Sequence, residues 1–163
     1  IDQGYCSQDV AQTITAFKSA GVNYDVISYY MGIVTSSDGK ELDAAKNHIT
    51  AGSVLYDAVY IPGGRESVDA MMKQGYFLNF VNEAFVHGKT IGATNEGVDL
   101  IQASAIKEIA IAGPDTQSEL VSESGIVTIR NTKEGNAFAQ EFIRNIGEHR
   151  HWTRQNQIGV VPV

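Results

Sequence analysis

Two short runs carry the residue types from which an α/β active site is built. The first, YIPGGRES over residues 60–67, ends an apolar stretch in a Pro-Gly-Gly turn. A turn of that kind exposes the backbone N–H groups of Gly63 and Gly64, a pattern suited to binding an anion or stabilising an oxyanion. The second, KTIGATNEGVDLI over residues 89–101, passes from an apolar strand through Thr94-Asn95-Glu96-Gly97 into a helical pattern. That is the form of a nucleophile elbow, where a strained residue on a sharp turn presents its side chain at the end of a sheet. Here the elbow position holds Asn95, followed by Glu96. Asn tolerates φ > 0 better than most non-glycine residues, so the backbone shape is kept. The thiolate that covalent catalysis needs is gone. Glu96, at a helix start, is favoured by the helix dipole. Asn95, Glu96 and Gly97 are therefore expected to form a degenerate elbow, and Gly63 and Gly64 a former oxyanion or anion turn, with no catalytic residue.

The remaining reactive side chains are few. Cys6 is the sole cysteine, which excludes an internal disulfide framework and a cysteine-rich metal cluster. It lies just before a helix N-terminus, where a thiolate is stabilised, and is the candidate reactive thiol; no His flanks it. Of His48, His87, His149 and His151, the last two stand two apart, which on a regular helix points them in different directions. All four are expected at the surface or hydrogen-bonded, with no metal site. A flavin phosphate would need a Ser/Thr/Gly-rich loop after a first strand, and IDQGYCSQD is acidic and unsuited to it.

These residues need a scaffold to hold them. Val10, Ile14 and Phe17 recur at helical spacing after a start at Ser7-Gln8-Asp9. Residues 23–30 (NYDVISYY) and 32–35 (GIVT) have strand composition, the latter running into an Asp-Gly turn, and 56–61 (YDAVYI) is a further strand. Helical patterns follow from Ser67 and over 77–86, then a strand at 90–94 and a helix through Val98, Leu100 and Ile101. Strands are expected at 109–112 and 125–129, and a long helix over 135–148. Strands alternating with helices, several of them apolar on both faces, indicate a mainly parallel sheet covered by helices: a flavodoxin-like three-layer sandwich formed by residues 1–163 as a single domain. Such a sheet begins with a strand before its first helix, and this sequence begins at the helix, so the first strand is expected to come from upstream residues. The tail from His149 to Val163 carries the sole Trp and an apolar end, either a strap on its own domain or a docking segment.

Composition narrows the function classes. At 163 residues with 43% hydrophobic and 19% charged content, the chain is long enough to bury a proper core. Twelve basic against nineteen acidic residues give a net charge of −7 with no basic stripe, which argues against a nucleic-acid partner. No apolar run approaches the roughly 20 residues of a membrane span, and no membrane partner is expected. The opening Ile1-Asp2-Gln3-Gly4 lacks an initiator Met and is expected to lie inside a longer polypeptide.

The order and punctuation of residues 32–44, YIPGGRES and HGKTIGATNEGVDLI resemble the PfpI branch of the class I glutamine amidotransferase-like superfamily. In active members the elbow residue is Cys, usually followed by His or Ala and then Gly; Asn95-Glu96 departs from that pattern. The degenerate elbow together with NIGEHRHWTRQ over 145–155 resembles one subgroup, the C-terminal domain of large-subunit catalases. That resemblance implies an upstream haem-bearing catalase core, with no cofactor in this domain, assembled as a homotetramer. The implied roles are stability, gating or ATP-independent holdase activity, with the catalase core, sister subunits and unfolded clients as partners. The alternative is an active PfpI-type hydrolase, glyoxalase or deglycase, for which Cys6 would be the thiol. Compartment stays open between cytoplasmic and secreted.

Overall fold

The apolar runs TIGAT and IVTI are buried on both faces, which suits the middle of a helix-covered sheet, and AVYI is half-buried. A computed structural model describes residues 1–114, 120–131, 135–159 and 161–162, with the side chains of Gln157 and Ile158 left aside. In chain order its elements are α1 (Ser7–Ala20), β1 (Ile27–Ser28), β2 (Gly32–Thr35), β3 (Glu41–Ala44), β4 (Lys46–Asn47), β5 (Ala58–Ile61), α2 (Arg65–Met72), α3 (Gly75–Val86), β6 (Thr90–Thr94), α4 (Gly97–Ala103), β7 (Val121–Glu123), β8 (Ile126–Ile129), α5 (Gly135–Gly147) and α6 (Gln155–Ile158). The main sheet has the order β5-β6-β8-β7. β5, β6 and β8 run parallel, and β7 closes one edge antiparallel to β8. β2 and β3 form a hairpin, and β1 and β4 pair in parallel beside it.

α1 and α5 cover one face of the sheet, where Phe17, Val127, Ile129, Phe138 and Phe142 form one cluster. α2, α3 and α4 cover the other, and Val68, Phe85, Ile91, Leu100 and Ile126 anchor the larger cluster. The result is a three-layer α/β sandwich. Burial of each such side chain contributes about 1.5–3 kcal/mol, so the layers themselves hold the strand ends in place. Among the described residues, no helix is long and apolar enough to cross a membrane.

Two strand expectations are corrected. Only Ile27–Ser28 of the stretch 23–30 is strand, because its ladder partner, Lys46–Asn47, is two residues long. Among the described residues, 109–112 pair with no strand. The Ala112 N–H donates to the Thr128 hydroxyl at 2.8 Å and the Ala112 carbonyl accepts from Arg130 Nε at 2.8 Å, so side chains satisfy the backbone there. The sheet edge goes instead to β7, turned back by Ser124 and Gly125, both at positive φ (49° and 80°).

The tail packs on its own domain. Arg154 is 1% exposed, donates to the Ser124 and Lys89 carbonyls and stacks on Phe85 at 4.4 Å. Val161 joins the larger cluster, whereas Trp152 is 63% exposed; Val160 and Val163 lie outside the described residues. His151 is buried with its Nε2 2.9 Å from the Thr90 hydroxyl, which itself donates to the Asn145 carbonyl. Burial, then the Arg154 charge, holds the His151 imidazole below the usual histidine range. The folded chain thus binds fewer protons at this ring than the unfolded chain. Its contribution is present above the unfolded value of about 6.5 and is lost as pH falls through the folded one. Thermal melts at pH 7 and pH 5 should show a loss of stability at the lower pH that shrinks in His151→Asn; an unchanged slope would remove His151 from that role.

Candidate functional site

The elbow is built where the parallel strands end. β6 is buried along its whole length and delivers Thr94 to the carboxyl end of the sheet. The next residue, Asn95, has φ 48°, and its N–H donates to the Ile129 carbonyl at 2.8 Å, which fixes the turn to β8. Glu96 stands at the N-cap position of α4 without a side-chain capping bond, and Gly97 allows that helix to press against the Ile61 and Pro62 carbonyls, where a Cβ would collide with oxygen. Gly64, at φ 114°, takes a conformation reserved for glycine, and a Cβ there would lie 2.5 Å from the Gly4 carbonyl oxygen.

A residue not singled out for this site organises it. Asp9, in the first turn of α1, is 1% exposed, and its carboxylate faces the elbow. Oδ2 accepts the Gly63 N–H at 3.0 Å, the Thr94 hydroxyl at 2.7 Å and the Asn95 carboxamide at 2.9 Å; Oδ1 accepts the same carboxamide at 3.1 Å. Because the Thr94 hydrogen goes to Asp9, the 2.9 Å contact with Tyr60 makes the Tyr60 hydroxyl the donor. Burial, reinforced by the Asp9 charge, pushes the Tyr60 phenol far above its ordinary range. The Gly64 N–H donates to Glu96 Oε2 at 2.9 Å.

Both amides of the Gly63-Gly64 turn are therefore spent on carboxylates of the protein itself. An oxyanion hole requires donors aimed at open space where charge develops. Here negative charge already occupies that space, and an incoming oxyanion would be repelled by Asp9 and Glu96. A Cβ at Gly63 would lie 2.8 Å from Asn95 Cβ and from Glu96 Oε2 and 2.9 Å from Asp9 Oδ2. Gly63→Ala is accordingly expected to cost about 1–3 kcal/mol, read as a lowered urea midpoint. An unshifted midpoint would mean that the turn is looser than described.

Cys6 stands at the N-cap of α1, half-buried, three residues before Asp9. The helix start was expected to stabilise its thiolate. The direction is the reverse: burial first, with the Asp9 charge adding to it, pushes the thiol up. Beside the elbow, Asp99 joins Arg65 at 2.9 Å and Arg130 at 2.7 Å, fastening α4 to α2 and to the end of β8. His87 and His149 are exposed; His48 stacks between Tyr29 and Tyr76, with centroids at 5.0 and 4.4 Å, far from the elbow in sequence and in contacts. Among the described residues, no group of three His, Cys, Asp or Glu side chains is placed to hold a metal ion. The arrangement positions a carboxamide between carboxylates, and every polar group of it named above is paired.

Comparison with known proteins gives a consistent set. Residues 3–156 match the model of a C-terminal domain found in long catalases. Catalase-2 of Bacillus subtilis is 38% identical over 152 residues, covering 93% of this chain and 20% of the relative. Catalase-1 of Neurospora crassa is 32% identical over 135 residues, 75% of this chain and 18% of the relative. The chain thus spans about a fifth of the length of the curated relatives it matches. Among solved structures, the two-domain protein of Anabaena variabilis with DJ-1/ThiJ/PfpI-like and ferritin-like domains superposes with a TM-score of 0.83 at 21% identity, over 90% of this chain and 46% of that one. A ThiJ/PfpI domain protein of Brachyspira murdochii gives 0.81 at 16% identity, over 90% of this chain and 92% of that one. At those identities the structures support a shared fold, the flavodoxin-like sandwich, and nothing finer.

Proposed function

Because this chain belongs to the family of C-terminal domains found in long catalases, we propose that it serves a larger polypeptide as a non-catalytic accessory domain. The upstream part of that polypeptide would dismute hydrogen peroxide to water and oxygen on a haem, in a homotetramer. The observation that carries this reading is the saturated elbow: Asn95 in place of a nucleophile, its carboxamide held by Asp9, and both turn amides bonded to Asp9 and Glu96.

Neither Tyr60 nor His151 is suited to hold a haem. An axial ligand must face an open cavity with its donor atom free for iron. The Tyr60 hydroxyl is committed to Thr94 and resists ionisation, and His151 Nε2 is committed to the Thr90 hydroxyl. In this reading the haem would be held by the upstream part.

Two contributions are assigned to the domain. The first is stability of the assembled catalase. The second is ATP-independent holding of unfolded clients, supported by exposed apolar side chains at Tyr30, Met31, Ile49, Val54, Leu55 and Tyr76 beside a net charge of −7. In the full polypeptide, Asn95→Ala and Glu96→Gln should leave peroxide consumption per haem within about twofold of the parent. A large loss, or glyoxalase or esterase turnover abolished by Cys6→Ser, would overturn the non-catalytic assignment. Light scattering of heat-stressed clients that is equal with and without the domain would overturn the holdase role.

A further inference from the structure

The amino-terminal ends of β6 and β8, opposite the elbow, are crossed by a strap of residues 149–159. Two side chains latch it. His151 presses its ring against Gly125, where a Cβ would lie 2.0 Å from it, and its backbone N–H donates to the Gly88 carbonyl at 2.9 Å. Arg154 reaches the Lys89 and Ser124 carbonyls with its guanidinium over Phe85, which has no exposed surface. α6 then follows α3, and Val161 joins the larger core cluster.

The latch is electrostatically unfinished. Arg154 is 1% exposed, its Nε is buried without a hydrogen-bond partner, and burial alone brings the guanidinium down to about 10. It still stays charged at neutral and mildly acid pH, so the strap closes over a fixed positive charge with no carboxylate paired to it among the described residues. The Thr90 hydroxyl gives its hydrogen to the Asn145 carbonyl, so His151 Nε2 is the donor in its 2.9 Å contact with Thr90. Nδ1 is then the position open to a second proton. Glu148 Oε2, 3.4 Å from Nδ1, favours that proton, but Glu148 is half-exposed and its other oxygen is held by Arg144 at 2.6 Å. Burial of the ring opposes it first, then the Arg154 charge, and lastly Arg144. Of the other charged groups around the strap, the Lys89 ammonium turns to the Val54 and Tyr56 carbonyls, and His149 and Arg150 lie 3.7 and 3.6 Å from the exposed Asp57. Closed, the latch keeps His151 neutral; open, water accepts the imidazolium.

We infer that residues 149–159 are an acid-released strap: a proton on His151, beside the unpaired Arg154 guanidinium, frees them from the sheet ends and bares Phe85 and the side of α3 under α6 to unfolded polypeptide. The client step rests on the holdase role proposed above and gives that role an acid trigger; strap opening does not depend on it. The open form takes up the proton with an ordinary histidine value of about 6.5, so the open population rises as pH falls through it, by at most about tenfold from pH 7.5 to pH 5.5.

The test uses the full natural polypeptide. The His151 amide, bonded to Gly88, reports strap opening by hydrogen exchange. Corrected for the intrinsic pH dependence of exchange, its protection should fall several-fold from pH 7.5 to pH 5.5, while that of Gly92 and Val127 holds. This comparison in the unaltered chain needs no variant. His151→Asn keeps a donor for Thr90 but does not titrate, and should remove the fall. Arg154→Met replaces the buried charge by an apolar chain and should flatten the fall, whereas loss of a merely structural Arg154 would leave the pH dependence in place. Reduced, carboxymethylated α-lactalbumin, unfolded at both pH values, is the client probe. Its capture should be several-fold greater at pH 5.5, with the difference absent in His151→Asn. Equal protection at the two pH values, an equal fall in His151→Asn, or capture that does not change while the strap opens would overturn the inference. No capture at either pH beside normal acid opening would overturn the holdase reading and the client step, and would uphold strap release.

Discussion

Asp9→Ala is expected to destabilise the fold by about 3–5 kcal/mol, among the largest effects of any single polar substitution in this chain. The carboxylate is buried and takes hydrogen bonds from Gly63 in one turn and from the adjacent Thr94 and Asn95 at the end of β6. Its removal leaves the buried Gly63 N–H and Thr94 hydroxyl without this acceptor, each costing about 1–3 kcal/mol, and takes one partner from the half-buried Asn95 carboxamide, partly relieved by local rearrangement. Asp9→Asn keeps one acceptor oxygen but turns an NH2 group toward the same donors, so it should lose a substantial part of that stability. Asn95→Ala removes one donor and leaves the Asp9 carboxylate with its bonds from Gly63 and Thr94, so it should cost less than Asp9→Ala. Urea unfolding of the two single variants and the double variant gives the coupling, expected at about 0.5–3 kcal/mol because the residues are in direct contact. Additive effects would mean that Asp9 does not organise the elbow.

The second large effect lies under the same strands. Phe142→Ala is expected to cost about 3–5 kcal/mol, the range for removing a buried aromatic ring. Phe142 is 1% exposed, stacks on Phe138 at 5.6 Å and meets Tyr60 and Phe17 at 6.0 Å each. Its ring also lies directly on the backbone of Gly92 in β6, where a Cβ would come within 2.7 Å of it. Gly92→Ala should therefore be destabilising in the parent and less so, or neutral, beside Phe142→Ala, because the new methyl enters the space the ring leaves. A double-variant cycle in thermal or urea unfolding checks the sign. Equal costs of Gly92→Ala in both backgrounds would show that the ring does not rest on that glycine.

The elbow and the site partner that sequence reading passed over differ in sequence range. Strand, turn and helix at residues 90–103 follow one another directly, so the pattern of apolar run, Asn95-Glu96-Gly97 and renewed helical period is enough to place them. Asp9 reaches Asn95 across 86 residues. In the sequence it is an acid in the first turn of a helix, indistinguishable from a residue placed for the helix dipole. The available signal was positional: in an α/β sheet the first turn of a helix lies at the carboxyl ends of the strands, so an acid there faces the site. The Gly63-Gly64 turn shows the same limit. Its composition marks exposed amides, whereas their occupation by Asp9 and Glu96 is a tertiary fact. Residues 109–112 misled because the apolar run IAIA has strand composition, while the edge went to the polar VSE, whose Ser-Gly turn supplies the antiparallel return that the apolar run lacks.

The proposed stabilising, non-catalytic role is tested most directly on a full polypeptide that carries this domain. The full chain and a version ending before Ile1 should be compared for peroxide dismutation per haem, first when fresh and then after graded heating. The account predicts fresh activities within about twofold of each other and an inactivation rate several-fold faster without the domain. Fresh activity lost on truncation while haem is fully retained, or identical heat inactivation of the two chains, would contradict it.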